Sequence, residues 1–166
     1  SVIRMDVDTT RTKNAHENIL NKFKKEKIDI LLGTQMVTKG HDFENVTLVG
    51  VLAADSSINI SDYRANERTY QLLTQAIGRA GRGKKAGRAI IQTYSPDEFS
   101  IQMAQKQDYE QFYNIEINMR EKLNYPPFCD IIVFVVSGKD NAYKLVKVNG
   151  DIYANTYGDT FSSMYF

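Results

Sequence analysis

Short apolar runs alternate along this chain with stretches that have the residue spacing of amphipathic helices. Strands are predicted at residues 1–5, 28–32, 46–54 and 88–94, and helices at residues 14–27, 62–80 and from residue 95 onward. The order is strand, helix, strand, strand, helix, strand, helix. This alternation predicts an α/β fold with a parallel sheet and helices on both of its faces.

The second part of the chain has a different pattern. Residues 95–98 (SPDE) have the form of a capping box with proline at the first helical position. The helical pattern then runs to about Leu123, with a possible break near residues 106–108, and Pro126-Pro127 ends it. A strand is predicted at residues 130–136, and a helix is predicted after residues 138–140.

Composition narrows the possible classes of protein. Lys and Arg number 21 against 20 acidic residues, so the net charge of +1 does not by itself indicate a nucleic-acid-binding protein. Between Arg68 and Pro96, however, every charged residue is basic, and such a patch attracts polyanions, although a solvated turn has the same composition. No stretch has the length of a membrane span and no secretory signal is present, so we expect a cytoplasmic location.

The only cysteine, Cys129, excludes a disulfide within the chain. One thiol and the two separated histidines, His16 and His41, do not have the spacing of a metal site. We therefore predict no metal bound by this chain.

Residues 75–82 (QAIGRAGR) place two arginines at the end of the helix predicted for residues 62–80. Arg79 and Arg82 are three residues apart, which is the spacing of side chains on one helix face. Each guanidinium group can bind two phosphate oxygens at once and stays positively charged at all ordinary pH values. Two such groups at this spacing suit a triphosphate. The alternative is a helix end whose arginines complement the helix dipole and whose glycines end the helix.

Residues 33–43 (GTQMVTKGHDF) follow a predicted buried strand. In open parallel sheets ligands bind beyond the carboxyl ends of the strands, so this polar loop is a candidate site. Threonine hydroxyls and a lysine can bind phosphate, and Asp42 can accept a hydrogen bond from ribose. The alternative is an ordinary connection between a strand and a helix.

Both segments resemble motifs V and VI of superfamily 2 helicases. More closely, the chain resembles the family of primosomal replication-restart helicases, from about residue 4 to about residue 139. The matching runs are residues 4–10 (RMDVDTT), 33–36 (GTQM), 39–43 (KGHDF), 62–65 (DYRA), 67–69 (ERT), 71–75 (QLLTQ), 78–82 (GRAGR) and 125–128 (YPPF). The resemblance implies a RecA-like second helicase lobe at residues 1–124. It also implies the truncated start of a smaller α+β C-terminal domain at residues 125–166.

The resemblance implies an ATP site shared between two lobes, of which this chain supplies one. Arg79, Arg82 and Gln75 are the expected catalytic residues, with one arginine as the finger. ATP and Mg²⁺ are expected to be held mainly by a first lobe, since this chain has no P-loop pattern and no strand-end Asp-Glu pair. The zinc-binding cysteines of the family are absent from the chain.

Further residues carry expected binding roles by the same resemblance. Nucleotide-binding residues are expected at Gly40, Asp42 and Gly78, and DNA-binding residues at Thr34, Gln35 and Lys39. The implied activity is an ATP-dependent 3′–5′ DNA helicase that restarts replication at stalled or branched forks, with this lobe inactive alone. The implied partners are branched and single-stranded DNA, other primosome proteins and single-stranded DNA-binding protein, with no membrane and a nucleoid-associated, cytoplasmic location.

Two other functions remain open at the level of sequence. One is the second lobe of another superfamily 2 repair or recombination translocase, which the runs at residues 4–10 and 125–128 disfavour. The other is a non-enzymatic module that uses the basic region at residues 79–88 to bind nucleic acid or a partner protein. For Arg4, Asp6 and Asp8 we expect strand-end capping and turn formation instead of chemistry. For Asp55 and residues 62–64 we expect local salt bridges, and the alternative is a charged loop that lines the cleft or channel.

Overall fold

A computed structural model describes residues 1–10, 14–38, 43–60, 62–81, 85–137, 142–148 and 151–156. The chain divides into two compact units, Ser1–Phe112 and Tyr113–Phe166. The boundary falls inside a helix. The functional domains predicted at residues 1–124 and 125–166 stay a prediction.

The first unit is an α/β structure. Its elements are β1 (Val2–Met5), α1 (Ala15–Lys25), β2 (Ile30–Gly33), β3 (Leu48–Val51), α2 (Ala65–Ile77), β4 (Arg88–Ile91) and α3 (Phe99–Lys106). Short 3-10 turns at Gln35–Thr38 and Ala54–Ser57 follow β2 and β3. Helix α4 (Tyr109–Lys122) begins in this unit and continues into the second.

All strand pairing described in the first unit is parallel, as the sequence predicts. Strand β1 pairs with β2, with Met5 opposite Gly33. Strand β3 pairs with β4, with Val51 opposite Ile91. In the described residues these are two separate two-stranded pairs instead of one continuous sheet. Within each pair the strands run in the same direction, so their carboxyl ends, and the loops that follow, lie at the same edge of that pair.

Two clusters of buried side chains hold the first unit together. Met5, Leu20 and Phe43 form one, with α1 packed against β1, and the ring of Phe23 meets that of Phe43 edge-on at 5.5 Å. The other cluster joins α2, α3 and the start of α4 through Ala54, Tyr70, Leu73, Ile101, Met103, Ala104 and Phe112. The rings of Tyr70 and Phe112 stack at 4.1 Å.

One face of each strand pair remains exposed in the described residues. On β1 and β2 the exposed side chains include Val2, Ile30 and Leu32. On β3 and β4 they include Leu48 and Ile90. Residues with the opposite orientation, such as Leu31 and Val51, pack against the cores, so the exposure follows the two-residue period of a strand. Helices on a second face are not seen in this part of the chain.

The helices and strands predicted in the first unit are confirmed in position, and most of them are a few residues shorter than predicted. The break between α3 and α4 falls at residues 107–108, as predicted, with Gln107 left-handed at φ 55°. The predicted start of α3 at residues 95–98 is wrong, because the helix begins at Phe99. The amide of Ser95 instead donates a hydrogen bond to the carboxylate of Asp55, which lies after β3.

The second unit contains a three-stranded antiparallel sheet. Its strands are β5 (Ile131–Ser137), β6 (Ala142–Val148) and β7 (Asp151–Thr156), in the spatial order β5-β6-β7. Strand β5 is confirmed, whereas the helix predicted after residues 138–140 is wrong, because β6 follows there. The signal that could have revealed the strands is Asn149-Gly150, the dipeptide most typical of two-residue hairpins.

At the start of the second unit, the end of α4 is fastened to the following turn. Arg120 forms an ion pair with Glu116 at 2.8 Å, both side chains being largely buried. The amide of Tyr125 donates to the carbonyl of Arg120, and the Pro126–Pro127 peptide bond is cis. None of the helices in the described ranges is long and apolar enough to cross a membrane.

Candidate functional site

The loops after β1 and β2 lie side by side. Because Met5 pairs with Gly33, Asp6 is next to Thr34 at the carboxyl ends of these strands. The Asp6 carboxylate accepts a hydrogen bond from the amide of Thr9 at 2.9 Å, the Asp6 amide donates to the Thr9 hydroxyl at 2.8 Å, and Arg4 pairs with the same carboxylate. These bonds, led by the Thr9 amide, lower the pKa of Asp6. Turn formation by Asp6 is therefore confirmed.

Gly33 is required where β2 ends. A Cβ atom at this position would lie 2.2 Å from Val37 Cγ2 and 2.5 Å from the carbonyl oxygen of Met5. The absence of a side chain lets the 3-10 turn at Gln35–Thr38 fold back closely against the end of the strand. Thr34 and Gln35 are exposed at the start of this turn, and the Thr34 carbonyl accepts from the amide of Val37 at 3.1 Å.

The remaining predicted residues of this loop are not in the described ranges. The binding roles expected for Lys39, Gly40 and Asp42 therefore stay predictions. The part of the loop that is described contacts α2, because the turn at Gln35–Thr38 lies beside that helix. Helix α2 therefore connects the two predicted groups of site residues.

Three predicted site residues lie together at the carboxyl end of α2. Gln75 is in the last turn, Gly78 ends the helix, and Arg79 follows it. The amide of Gly78 donates to the carbonyl of Thr74, and that of Arg79 donates to the carbonyl of Ala76, both at 3.0 Å. The backbone through Arg79 is thus fixed by the helix. Arg82 lies outside the described ranges, and its catalytic role stays a prediction.

The chain after α2 is bound to the amino end of β3. The amide of Gly81 donates to the carbonyl of Val46 at 3.0 Å, and the amide of Arg88 donates to the carbonyl of Thr47 at 2.8 Å. Arg79 therefore lies near the amino end of β3, whereas Thr34 lies beyond the carboxyl end of β2. In sequence, Val46 lies twelve residues after Thr34.

The amino end of α2 carries a second charged cluster. The Asp62 carboxylate accepts from the amide of Arg64 at 2.9 Å and pairs with Arg68 at 2.7 Å. Burial tends to raise the pKa of Asp62, but the Arg64 amide and the charges of Arg68 and Arg64 outweigh it and lower this pKa. The guanidinium of Arg64 also lies 5.3 Å from the ring centroid of Tyr63. The local salt bridges expected here are confirmed.

Asp55 fastens the ends of β3 and β4 together, and its role was missed at the sequence level. Its buried carboxylate accepts from the Thr93 hydroxyl at 2.5 Å and from the amides of Tyr94 and Ser95 at 3.0 Å each. The Thr93 hydroxyl, followed by the Tyr94 amide, lowers the pKa of Asp55. Among the described residues, Asp55 makes hydrogen bonds instead of the salt bridges expected. The sequence does contain a pattern that could have indicated this contact. Asp55 comes shortly after β3, and Thr93-Tyr94-Ser95 comes directly after β4.

The donor chemistry at the end of α2 fits phosphate groups. Arg79 supplies a permanent charge, and Gln75 supplies an amide one helical turn earlier. In the ranges described, no group of three His, Cys, Asp or Glu side chains could hold a metal ion.

Comparison with known proteins identifies the first half of the chain. Residues 2–84 match the model of the helicase conserved C-terminal domain. The chain belongs to this helicase family. Its described strands and helices form the α/β structure of a RecA-like lobe, as expected from the resemblance.

The chain is similar to several bacterial proteins named replication restart protein PriA. The Bacillus subtilis protein is 51% identical over 162 residues, which cover 96% of this chain and 20% of the relative. The Synechocystis protein is 51% identical over 131 residues, covering 79% of this chain and 16% of the relative. The Chlamydia pneumoniae protein is 46% identical over 137 residues. The chain spans about a fifth of the length of the relatives it matches.

Proposed function

We propose that this chain is the second motor lobe of an ATP-dependent 3′–5′ DNA helicase that restarts replication at stalled or branched forks. It would complete an ATP site together with a first lobe that this chain does not contain. The identity to proteins named replication restart protein PriA supports the process, and the helicase domain family supports the motor. Primosome proteins, single-stranded DNA-binding protein and a cytoplasmic, nucleoid-associated location belong to the same proposal.

The observation that carries the proposal is the end of α2. The helix brings Gln75, Gly78 and Arg79 together, and the chain beyond is bonded to β3 through Gly81 and Val46. Phosphoryl transfer needs positive charge held at a fixed place, since negative charge spreads over the transferring group in the transition state. Arg79 and Arg82 would supply that charge across the cleft, and Gln75 would orient the nucleotide or the attacking water.

The loop after β2 would bind the DNA strand. Thr34 and Gln35 are exposed beyond the carboxyl end of β2, and Lys39 follows them in sequence. A hydroxyl, an amide and an ammonium group can each contact backbone phosphates without reading bases, which suits a motor that moves along any sequence. Gly40 and Asp42 would contribute to nucleotide binding.

Coupling between the two sites would depend on the segment from Thr34 to Val46. Binding of the arginines to nucleotide phosphates would close the cleft between lobes, and their release after hydrolysis would open it. The carbonyl of Val46 accepts a hydrogen bond from the amide of Gly81. Movement of residues 79–81 would therefore be transmitted to Val46, where the segment that begins at Thr34 ends. The affinity for DNA would then change with each cycle of ATP binding and hydrolysis.

The test is Arg82→Ala in the full-length helicase. Loss of an arginine finger lowers turnover by about three to five orders of magnitude. We expect ATP turnover to disappear while the affinity for forked and single-stranded DNA stays nearly normal. Both are measured on the same preparation, by phosphate release and by fluorescence anisotropy.

Lys106→Ala provides the matched control, because it removes one exposed positive charge at the end of α3. It should leave both readouts unchanged. Near-normal turnover in Arg82→Ala would falsify the finger assignment. DNA binding without ATP turnover in the unmodified full-length protein would instead favour a non-enzymatic binding module.

A further inference from the structure

Two glycines that follow α2 bring the backbone into contact with itself. A Cβ atom at Gly81 would lie 2.4 Å from the nitrogen and 2.7 Å from the Cα of Gly87. A Cβ atom at Gly87 would lie 2.2 Å from the nitrogen of Gly81 and 2.3 Å from the carbonyl carbon of Ala80. We call this contact the glycine crossing.

The glycine crossing excludes any other residue for two separate reasons. Gly81 has φ 73°, in the left-handed region that other residues rarely adopt. The atoms that an added Cβ would meet are backbone atoms, which cannot rotate away as the end of a side chain can. Even alanine at Gly87, where the backbone angle is not the obstacle, would force the two chain segments apart.

Hydrogen bonds fix the chain on both sides of the glycine crossing. On the incoming side, the amides of Arg79 and Ala80 donate to Ala76 and Ile77 in the last turn of α2. At the crossing itself, the Gly81 amide donates to Val46, and the Arg88 amide donates to Thr47 just after the contact. Arg79 is therefore only two positions before Gly81, whose amide is bound to Val46 just before β3.

We infer that Gly81 and Gly87 are positioning residues for Arg79 at the end of α2. The glycine crossing sets where residues 79–81 lie relative to the strand pair β3–β4. This inference rests on the proposed ATPase function. A group that acts on a transition state has to be held within about 0.5 Å of its working position. Gly87, eight residues after Arg79, would thus control turnover without touching the nucleotide.

Gly87→Ala in the full-length helicase tests the inference. A displacement of about 1 Å at a reacting group lowers turnover by about 100-fold, so we expect a fall in kcat of that order. The KM for ATP and the affinity for single-stranded DNA should stay within about twofold, because the charges and the DNA-binding loop remain. A role in folding alone would lower the active fraction and leave the kcat per folded molecule unchanged.

Two controls separate positioning from general destabilisation. Gly50→Ala makes the same chemical change on β3, where a Cβ atom would meet nothing within 4 Å, and should change nothing. Leu20→Ala removes a buried side chain of α1 and should lower the melting temperature with kcat per folded molecule unchanged. A kcat that falls in Leu20→Ala as much as in Gly87→Ala would overturn the inference.

Hydrogen exchange in the unmodified protein gives a second measurement that does not depend on whether Gly87→Ala folds. The amides of Gly81 and Arg88 should be protected as strongly as those of β4. Exchange at the rate of an open loop would contradict a rigid glycine crossing. If Gly87→Ala keeps full turnover while Arg82→Ala loses it, the inference fails and the proposed function stands. If the unmodified protein hydrolyses no ATP, the proposed function itself fails.

Discussion

Two carboxylates that follow strands, Asp6 and Asp55, bind the backbone of neighbouring loops. Each accepts main-chain amides from a loop that follows a parallel strand, and hydrogen bonds lower the pKa of both. An aspartate in such a position has the sequence appearance of a catalytic group. Whether such a carboxylate binds a loop depends on which backbone amides lie within hydrogen-bond distance. For Asp55 those amides belong to residues about forty positions later in the sequence.

Asp55→Asn should make folding less stable at neutral pH and change its pH dependence. The folded protein holds the Asp55 pKa below the unfolded value, so the ionised carboxylate stabilises the fold above the unfolded pKa of 3.8. That stabilisation is lost as the pH falls through the folded pKa. We expect the urea midpoint of Asp55→Asn to be lower than wild type at pH 7 and the two to converge at low pH. Asp97→Asn, at an exposed turn, is the control.

Gly33→Ala should destabilise the first unit. The added methyl would meet Val37 and the Met5 carbonyl at 2.2 and 2.5 Å, and overpacking of this kind costs about 1–3 kcal/mol. Urea unfolding followed by far-UV circular dichroism measures the change. Gly50→Ala, in open space, should leave the free energy of unfolding within about 0.5 kcal/mol of wild type. Equal stability of the two variants would contradict the close contact seen at Gly33.

At the scale of elements, α2 is the organising helix of the first unit. Its buried side chains Tyr70 and Leu73 pack into the larger core cluster. Its amino end carries the Asp62 ion pairs, its carboxyl end carries Gln75 and Gly78, and the turn at Gln35–Thr38 lies beside it. A change in the tilt of this one helix would therefore reach both groups of predicted site residues.

Thr34→Ala should uncouple DNA binding from ATP turnover. A hydrogen bond to a charged group contributes about 1.5 kcal/mol, so we expect DNA stimulation of ATPase to fall by about tenfold. Basal turnover should remain, and DNA affinity should fall less than stimulation does. Steady-state phosphate release with and without single-stranded DNA measures this. Thr47→Ala, an exposed threonine outside the loop, is the matched control, and equal losses of basal and stimulated rates would count against coupling.

At the scale of the whole molecule, we propose that this chain supplies part of what ATP hydrolysis needs. In this proposal Arg79 and Arg82 neutralise charge, and the phosphates are held by a first lobe, since the sequence has no P-loop pattern. We expect no turnover from the chain alone and DNA-stimulated turnover when it is mixed with a separately made first lobe. Activity of the chain alone would mean that its nucleotide site has been misidentified.

Much of this architecture could be predicted, because apolar periodicity and strand-end loops are local in sequence. Two such local features were predicted correctly: Thr34 lies beyond the end of β2, and the helix that contains Gln75 ends at Gly78. The glycine crossing and the contact of Ser95 with Asp55 depend on distant backbone meeting in space, which periodicity does not encode. Strand β6 was missed because Ala142–Val148 mixes helix-forming and strand-forming residues, and antiparallel pairing decided its state.

The face of β1 and β2 that is exposed in the described part of the chain has a consequence in solution. Val2, Ile30 and Leu32 are each more than half exposed, and the net charge is only +1. Charge repulsion between molecules is then too small to oppose contact between such faces. The chain on its own should have poor colloidal stability near neutral pH, and buffers that move its net charge away from zero should keep it dispersed.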